Sequence, residues 1–236
     1  MPFGIVRRTR TPSYTRIFGD DASSIASISL PITETWTHAD ATDNLDADFD
    51  WSSIVAGFDI VSNTAALANA GGATRIERMN VDLQTSDFRV RAPVTTFPTD
   101  RAGTQVLGVC CRMQSDNSQT FYTCALLCVD AGPISLFLAR WVAGVVTTLD
   151  SITLPSITLP TDLAVSAKGN VIGGWWAGRR RLRVINTSIP SGAYGGIRGV
   201  AQGATNTVAF SQATFETVPA TVVPLDLGLS PLTGVH

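Results

Sequence analysis

An all-β fold, two antiparallel sheets packed as a sandwich, is what this sequence predicts, and three observations predict it. Short runs rich in Val, Ile, Thr and aromatic residues recur between Gly, Pro, Asn and Asp turn signals, at the spacing of roughly 8 to 12 residues that marks a sandwich. Helical periodicity is hard to find along the chain. The length, 236 residues, is enough to bury one full core without splitting into two.

The expected strands begin with 58–63, which ends in Ser62 and Asn63 before a second alternating run at 65–69. They continue at 75–79, 87–94, 104–113, 120–129, 133–141 and 145–152, then at 163–167, 171–176, 180–186, 196–200 and 207–215. About a dozen strands is what a two-sheet jelly roll uses. Within 180–186, strand alternation sends Leu182 and Val184 to one face and Arg181 and Arg183 to the other. The tandem Ser-Ile-Thr-Leu-Pro pair at 151–160 reads as a local extended loop or edge feature, because Pro closes each copy. Two copies of so short a period do not make a repeat architecture.

Hydrophobic residues make up 44% of the chain and charged residues 15%, with a mean hydropathy of +0.20. That balance excludes a disordered chain and points to a surface that is largely neutral or covered by other subunits. Net charge is −2, and Lys168 is the one lysine among 17 basic residues. No lysine-rich footprint for nucleic acid is present, so no nucleic-acid partner is expected. No stretch reaches the apolar length of about 18 residues that a membrane helix needs. The richest, 124–149, is interrupted by Asp130 and Arg140, so no membrane insertion is expected. Near the amino terminus the few apolar residues precede Arg7, Arg8 and Arg10, the wrong order for a secretory leader. The expectation is synthesis and folding in a cytoplasm.

Cys110, Cys111, Cys124 and Cys128 fall in one region without a Cys-x-x-Cys pair. If 104–113 and 120–129 form a hairpin turning at 115–118, a register pairing Cys110 with Cys124 sets those two sulfurs opposite each other. In a cytoplasmic product, free thiols packed as small hydrophobes are the expected state. A zinc site would need better-spaced ligands and a nearby His. The ends differ in character from the middle: 1–32 carries arginines and prolines, and 219–236 is apolar and proline-rich with Asp226 its one charged side chain. The organisation expected is an N-terminal arm at 1–32, a sandwich at 33–218 and an extended tail at 219–236, the ends ordering against neighbouring subunits.

The stretch from Glu34 to Ala66 reads ETWTHAD, then DFDW, then GFDIVSNTAA. It resembles the opening of laminin-G-like, concanavalin A-like jelly-roll domains, especially those of bacteriophage minor tail and head decoration proteins. In the phage pattern, Asp-x-Phe-x-Arg-Ala-Asp, Trp36 stands here for the Phe and His38 for the Arg. The segment at 162–185, with two Gly turns, is similar to the paired late strands of such domains. So are the Gly-rich segment at 191–199 and the final strand at 208–218. The resemblance covers about residues 33–218 and rests on pattern. It implies a homo-oligomeric structural protein of a virion, made in the host cytoplasm, with trimers favoured and other virion subunits as partners.

Related sandwiches that cleave glycosidic bonds set paired carboxylates on one strand at a fixed separation. The glutamates here, Glu34, Glu77 and Glu216, stand far apart, and the histidines are His38 and His236. No Ser nucleophile elbow or phosphate-cradling loop is present. We therefore assign no catalytic residue, no cofactor and no enzyme activity. Asp40, Asp43, Asp46, Asp48 and Asp50 cluster near the opening but match no cation-loop signature, so they read as turn-forming residues and no metal is assigned. Binding is the better class. Trp141, Trp175 and Trp176, with Arg181 and Arg183, are the candidate contacts for a glycan or a neighbouring subunit, since an aromatic face offers apolar area with a polar handle. Tyr122 and Tyr194 could join them. The alternative to a virion protein is a carbohydrate-binding module for bacterial cell-wall polysaccharide.

Overall fold

The computed structural model describes residues 29–42, 45–46, 48–68, 72–99, 102–203 and 207–218. The expected arms, up to residue 28 and from 219, lie outside the described residues. In chain order the first strands are β1 (Ile32–Glu34), β2 (Trp51–Val55), β3 (Asp59–Val61), β4 (Thr64–Ala68), β5 (Arg75–Met79), β6 (Phe88–Thr96), β7 (Thr104–Met113) and β8 (Phe121–Val129). They are followed by β9 (Ile134–Val142), β10 (Val145–Leu154), β11 (Thr161–Lys168), β12 (Val171–Trp176), β13 (Arg179–Ile185), β14 (Tyr194–Ala201), β15 (Thr207–Phe210) and β16 (Ala213–Thr217). No helix occurs among the described residues, and none is long and apolar enough to cross a membrane.

The strands form two antiparallel sheets. One holds nine strands, with the path β13-β12-β11-β6-β15-β4-β3 and with β16 bridging β6 to β1. The other holds seven in the order β10-β9-β8-β7-β14-β5-β2. Inward residues of both sheets close on one core that includes Phe88, Val90, Leu107, Tyr122, Leu136, Val165, Trp176 and Phe215. β6 shows the period-2 rule cleanly: Phe88, Val90, Ala92 and Val94 are buried, while Arg89, Arg91 and Pro93 face outward and are half-buried.

Two departures from the expected strands have physical causes. The single strand expected at 207–215 is two, β15 and β16, separated at Ser211 and Gln212. Phe210, Ala213 and Phe215 all belong to the core, and an unbroken strand cannot send residues three apart to one face. The break resets the alternation while the segment keeps pairing with β6. The hairpin of β7 and β8 forms as expected, but its register sets Cys124 opposite Val109 and Cys110 opposite Thr123. A one-residue slip exchanges faces, so Cys124 joins the core and Cys110 joins a cluster on the outer side. All four cysteines are free and buried.

A buried arginine ties the sheets together at one end. Arg112, 1% exposed, sits near the end of β7 with φ of 53°, a left-handed conformation that interrupts strand alternation and is costly for a residue with a Cβ. Its Nε donates to the Ser86 carbonyl, Nη1 to the Ile189 carbonyl, and Nη2 to Asp87 Oδ1 and the Gly169 carbonyl. Asp87 Oδ1 also accepts from the Gly169 backbone N–H at 3.0 Å. One guanidinium therefore joins β7 to the lead-in of β6, the turn between β11 and β12, and the connection from β13 to β14. Gly192 lies against it: a Cβ there would sit 2.4 Å from the Arg112 carbonyl oxygen, at a φ of 132°. Arg112→Met strands these acceptors, and we expect a loss of about 3 to 5 kcal/mol of stability. Urea denaturation followed by tryptophan fluorescence measures it, and a variant as stable as the wild type would remove Arg112 from this role.

Candidate functional site

The opening motif is organised by Glu34, whose side chain is fully buried. Its Oε1 accepts the Trp36 backbone N–H at 2.9 Å, and its Oε2 accepts the Phe49 N–H at 3.1 Å, the Asp48 N–H at 3.2 Å and Trp51 Nε1–H at 3.5 Å. Burial raises its pKa from the ordinary carboxylate value, and the backbone donors of Trp36 and Phe49 pull the other way. Glu77 is likewise buried and accepts from Phe58 N–H and Ser53 Oγ. Glu216 binds Arg89 on the outside of the nine-stranded sheet. Each glutamate is thus taken up by internal bonds at a different place. The nearby aspartates also serve the backbone: Asp46 Oδ1 accepts from Trp51 N–H and Asp40 Oδ1 from Ser62 N–H. Asp43 lies outside the described residues. Among the described residues, no three His, Cys, Asp or Glu side chains converge as a metal would require.

The candidate contact residues fall in three separate places. Trp176 is an inward residue of the core, and Gly174, two residues before it on the same face of β12, faces Cys124 and Leu182. Trp175 points the opposite way, onto the outer face of the nine-stranded sheet. There its Nε1 donates to Ser166 Oγ at 2.9 Å. Arg89 and Arg180 lie 5.3 and 5.9 Å from its ring centre. The expected pairing of Arg181 with Arg183 on one face is altered by a bulge. In the ladder Gly174 pairs with Leu182 and Trp175 with Arg180, leaving Arg181 unpaired. Arg180 takes the place beside Trp175, and Arg183 pairs with Gly173 on the same face. Arg181 and Arg183 are both exposed.

This outer face is an ionic lattice. Arg89 Nε and Nη2 each approach Glu216 Oε1 at 2.8 Å. Arg91 binds Asp162 Oδ2 at 3.1 Å and lies 3.5 Å from Glu216 Oε1. Arg89 and Arg91 are thus matched, Trp175 has its hydrogen-bond acceptor, and Arg180 is left with a buried Nε that has none. Beside Asp162, an open cleft of about 380 Å³ is lined by Pro93, Pro160, Thr161, Asp162 and Ala177.

The outer face of the seven-stranded sheet, where Trp141 lies, is different. Its outward residues pack on one another: Ile76, Cys110, Met113, Phe121 and Trp141 form one cluster and Val106, Ala125 and Val200 a second. Trp141 stacks on Phe121 with ring centres 5.6 Å apart and planes at 15°. Arg198, on β14, lies 4.9 Å from the Trp141 ring centre. β7 and β8 run between those strands, so the two side chains meet across about three strand spacings. Small residues in the intervening ladder allow it, for Arg198 pairs with Gly108 and Gly108 with Ala125. A Cβ on Gly108 would come within 2.6 Å of the Ala125 Cβ. Tyr194 is on this sheet too, under the Arg78 guanidinium at 5.2 Å. Tyr122 instead faces inward, its hydroxyl donating to Asn186 Oδ1 and accepting from Ile189 N–H.

Among the described residues, three buried donors on this face have no acceptor, Trp141 Nε1, Arg198 Nε and Arg78 Nε, although the Arg78 guanidinium is bonded through its Nη atoms. Trp141 is 9% exposed and Arg198 5%, and Trp141 Nε1 and Arg198 Nε are buried without a hydrogen-bond partner. Burial lowers the Arg198 pKa from its ordinary value, with Cys110 acting in the opposite direction. Sequence reasoning found Trp141 and missed Arg198. In the segment at 191–199 it stands among glycines, where alternation alone does not say which face of which sheet it occupies.

No protein-family model matches the sequence, and comparison with curated proteins finds no match. Solved structures do share the fold, that of concanavalin A-like jelly-roll sandwiches. The Emp47p carbohydrate recognition domain aligns with a TM-score of 0.54 at 12% identity, covering 85% of this chain and 100% of that one. The carbohydrate-binding module CBM66 from Bacillus subtilis aligns with a TM-score of 0.51 at 15% identity, covering 71% and 95%. A GlcNAcα1-4Gal-releasing endo-β-galactosidase from Clostridium perfringens aligns with a TM-score of 0.54 at 10% identity, covering 85% of this chain and 65% of the enzyme.

The cysteines yield a direct check on this packing. Burial pushes the Cys110 and Cys124 thiols up to about 12. It raises Cys111 and Cys128 as well. At pH 8 a thiol of pKa near 12 is ionised to about one part in ten thousand. The native protein is expected to resist a chromogenic disulfide reagent until denatured, when all four thiols react. Rapid stoichiometric labelling of the folded protein would show the two clusters to be open.

Proposed function

We propose that this chain is a non-enzymatic carbohydrate-binding sandwich domain that takes its ligand on the outer face of the seven-stranded sheet. The observation that carries the reading is the pair of buried donors there, Trp141 Nε1 and Arg198 Nε, which lack acceptors. A buried donor without a partner costs more than an ordinary hydrogen bond returns, and a glycan is dense in the oxygen acceptors that would satisfy both. The rim supports it: Val146, which pairs with Trp141 in the ladder and shares its face, is exposed and offers apolar area to the C–H face of a sugar. The nine-stranded face is the weaker candidate, because Arg89, Arg91 and Trp175 already have partners there and Arg180, whose Nε lacks one, is less buried than Arg198.

The fold neighbours support this class, since two of them are a carbohydrate-binding module and a carbohydrate recognition domain. Glycosidases also share the fold. Against that activity here stands the internal use of all three glutamates, which leaves no glutamate pair at a shared site. The virion role and the trimer expected from the sequence rest on the resemblance of the opening motif, and the arms they invoke lie outside the described residues.

A glycan array including bacterial cell-wall polysaccharides, followed by titration calorimetry on the strongest hit, tests the reading. Trp141→Ala should weaken binding by about tenfold or more. Trp175→Ala should leave it within about twofold, provided circular dichroism shows the variant folded. Absence of retention on any glycan, or loss with Trp175→Ala and not with Trp141→Ala, would overturn the assignment.

A further inference from the structure

The two outer faces differ in their charge. On the nine-stranded sheet, Arg89 and Arg91 are matched by Glu216 and Asp162. The arginines beside them with no ion pair among the described residues, Arg180 and Arg183, are half-buried and exposed, so their charges reach water. On the seven-stranded sheet, the acidic residues of the strands are Glu77 and Asp150, and both fall at inward positions of the register. Glu77 accepts from Ser53 and Phe58, and Asp150 pairs with the core residue Leu138. The outward strand positions of that sheet therefore carry two arginines and, among the described residues, no carboxylate.

Those two arginines are not equivalent. Arg78 Nη1 donates to the carbonyls of Gln114 and Asp116, at 2.8 and 2.9 Å, and Nη2 to Asn80 Oδ1 at 3.2 Å. Arg198 has a buried Nε without a hydrogen-bond partner and no carboxylate paired with its charge among the described residues, and its guanidinium lies against the Trp141 ring. Removing a charge from water without a counter-charge is strongly unfavourable, and a ring quadrupole offsets a small part of that. Neutral hydroxyls on a ligand would satisfy the N–H groups and leave the charge uncompensated. An oxyanion does both, and the planar guanidinium is the group that grips a carboxylate, sulfate or phosphate in fixed geometry.

We infer that the site takes an acidic glycan, with Arg198 binding an oxyanion on the sugar (a uronate carboxylate, a sulfate ester or a phosphate ester) and Trp141 Nε1–H donating to a neighbouring sugar oxygen. This rests on the glycan-binding reading and narrows it to one ligand class. The uncompensated arginine is then the specificity element of the face, selecting charge, while the aromatic pair and Val146 supply contact that any sugar would share.

The test is calorimetry with the full chain against matched acidic and neutral polysaccharides: polygalacturonate with its methyl ester, a sulfated galactan with its desulfated form, and a glycerophosphate-substituted glycan with its dephosphorylated form. At least one acidic member should bind at least about tenfold more tightly than its neutral partner, the scale of a hydrogen bond to a charged group. Which pair shows it identifies the oxyanion. Arg198→Met should abolish the preference while leaving residual binding to the backbone of the sugar, and Arg198→Lys should retain part of it. Arg183→Ala, on the other sheet, should change nothing. Thermal melting without ligand separates folding from recognition. Arg198→Met should melt at or above the wild-type temperature, because replacing an unpaired buried charge by an apolar side chain does not destabilise. Equal binding of acidic and neutral members would overturn the inference and leave glycan binding intact, whereas no binding to any member would remove both. Equal affinity for a single-stranded oligonucleotide would also overturn it, reporting a general polyanion surface. So would a marked fall in melting temperature of Arg198→Met, showing the guanidinium to be structural.

Discussion

Four hydrogen bonds from the Arg112 guanidinium hold the connections at one end of this sandwich in place. A β-sandwich gains its stability from apolar side chains closing between the sheets, a term with no directional preference. The loops at its ends need something directional, since their carbonyls and N–H groups are not paired by the ladders. Arg112 supplies it by leaving the alternation of β7 through a left-handed residue, which turns the side chain to where segments of both sheets converge. Tyr122 assists from the next strand by holding Asn186 and Ile189. The backbone strain at Arg112 costs about 1 to 3 kcal/mol, and four bonds from a charged donor offset it.

Buried polar groups divide the molecule into settled and unsettled parts. Glu34 and Arg112 are buried and have partners for their charges, so they act as knots. The same holds at lower burial for the lattice of Arg89, Arg91, Asp162 and Glu216. Arg198 breaks the pattern, with its position fixed by the ladders around Gly108 and Ile76 and its charge met by an aromatic ring alone. A local violation in an otherwise consistent fold is where a functional site is looked for. Among the described residues, Arg198 is the most buried arginine whose Nε has no hydrogen-bond partner and whose charge has no paired carboxylate. In this chain the violation lies on the same face as the Trp141 and Phe121 pair.

Much of the fold was legible in the chain because its cause is local. Alternation in β6 follows from Phe88 to Val94 alone, and the Gly turns between β11, β12 and β13 announce their hairpins. β1 and β2 were harder to read, being short and set in a loop whose organiser is Glu34, a residue bonded to partners up to 17 positions away. The site was legible in part. Trp141 was named as a candidate, and the bulge beside Trp175 exchanged Arg181 for Arg180 as its neighbour.

Composition and periodicity by themselves determined that the chain is a β-sandwich, that its thiols pack as hydrophobes, and that its three glutamates stand too far apart in the chain for a paired-carboxylate motif. Those features depend on residue type and on spacings of a few residues. The tertiary structure decided which face each element of the site occupies. Register between strands far apart in sequence places Trp141 and Arg198 together and sends Trp175 to the opposite side of the molecule. A shift of one residue in any of those ladders would exchange the faces, and nothing within a single strand encodes that choice. It is set by the core the two sheets bury together.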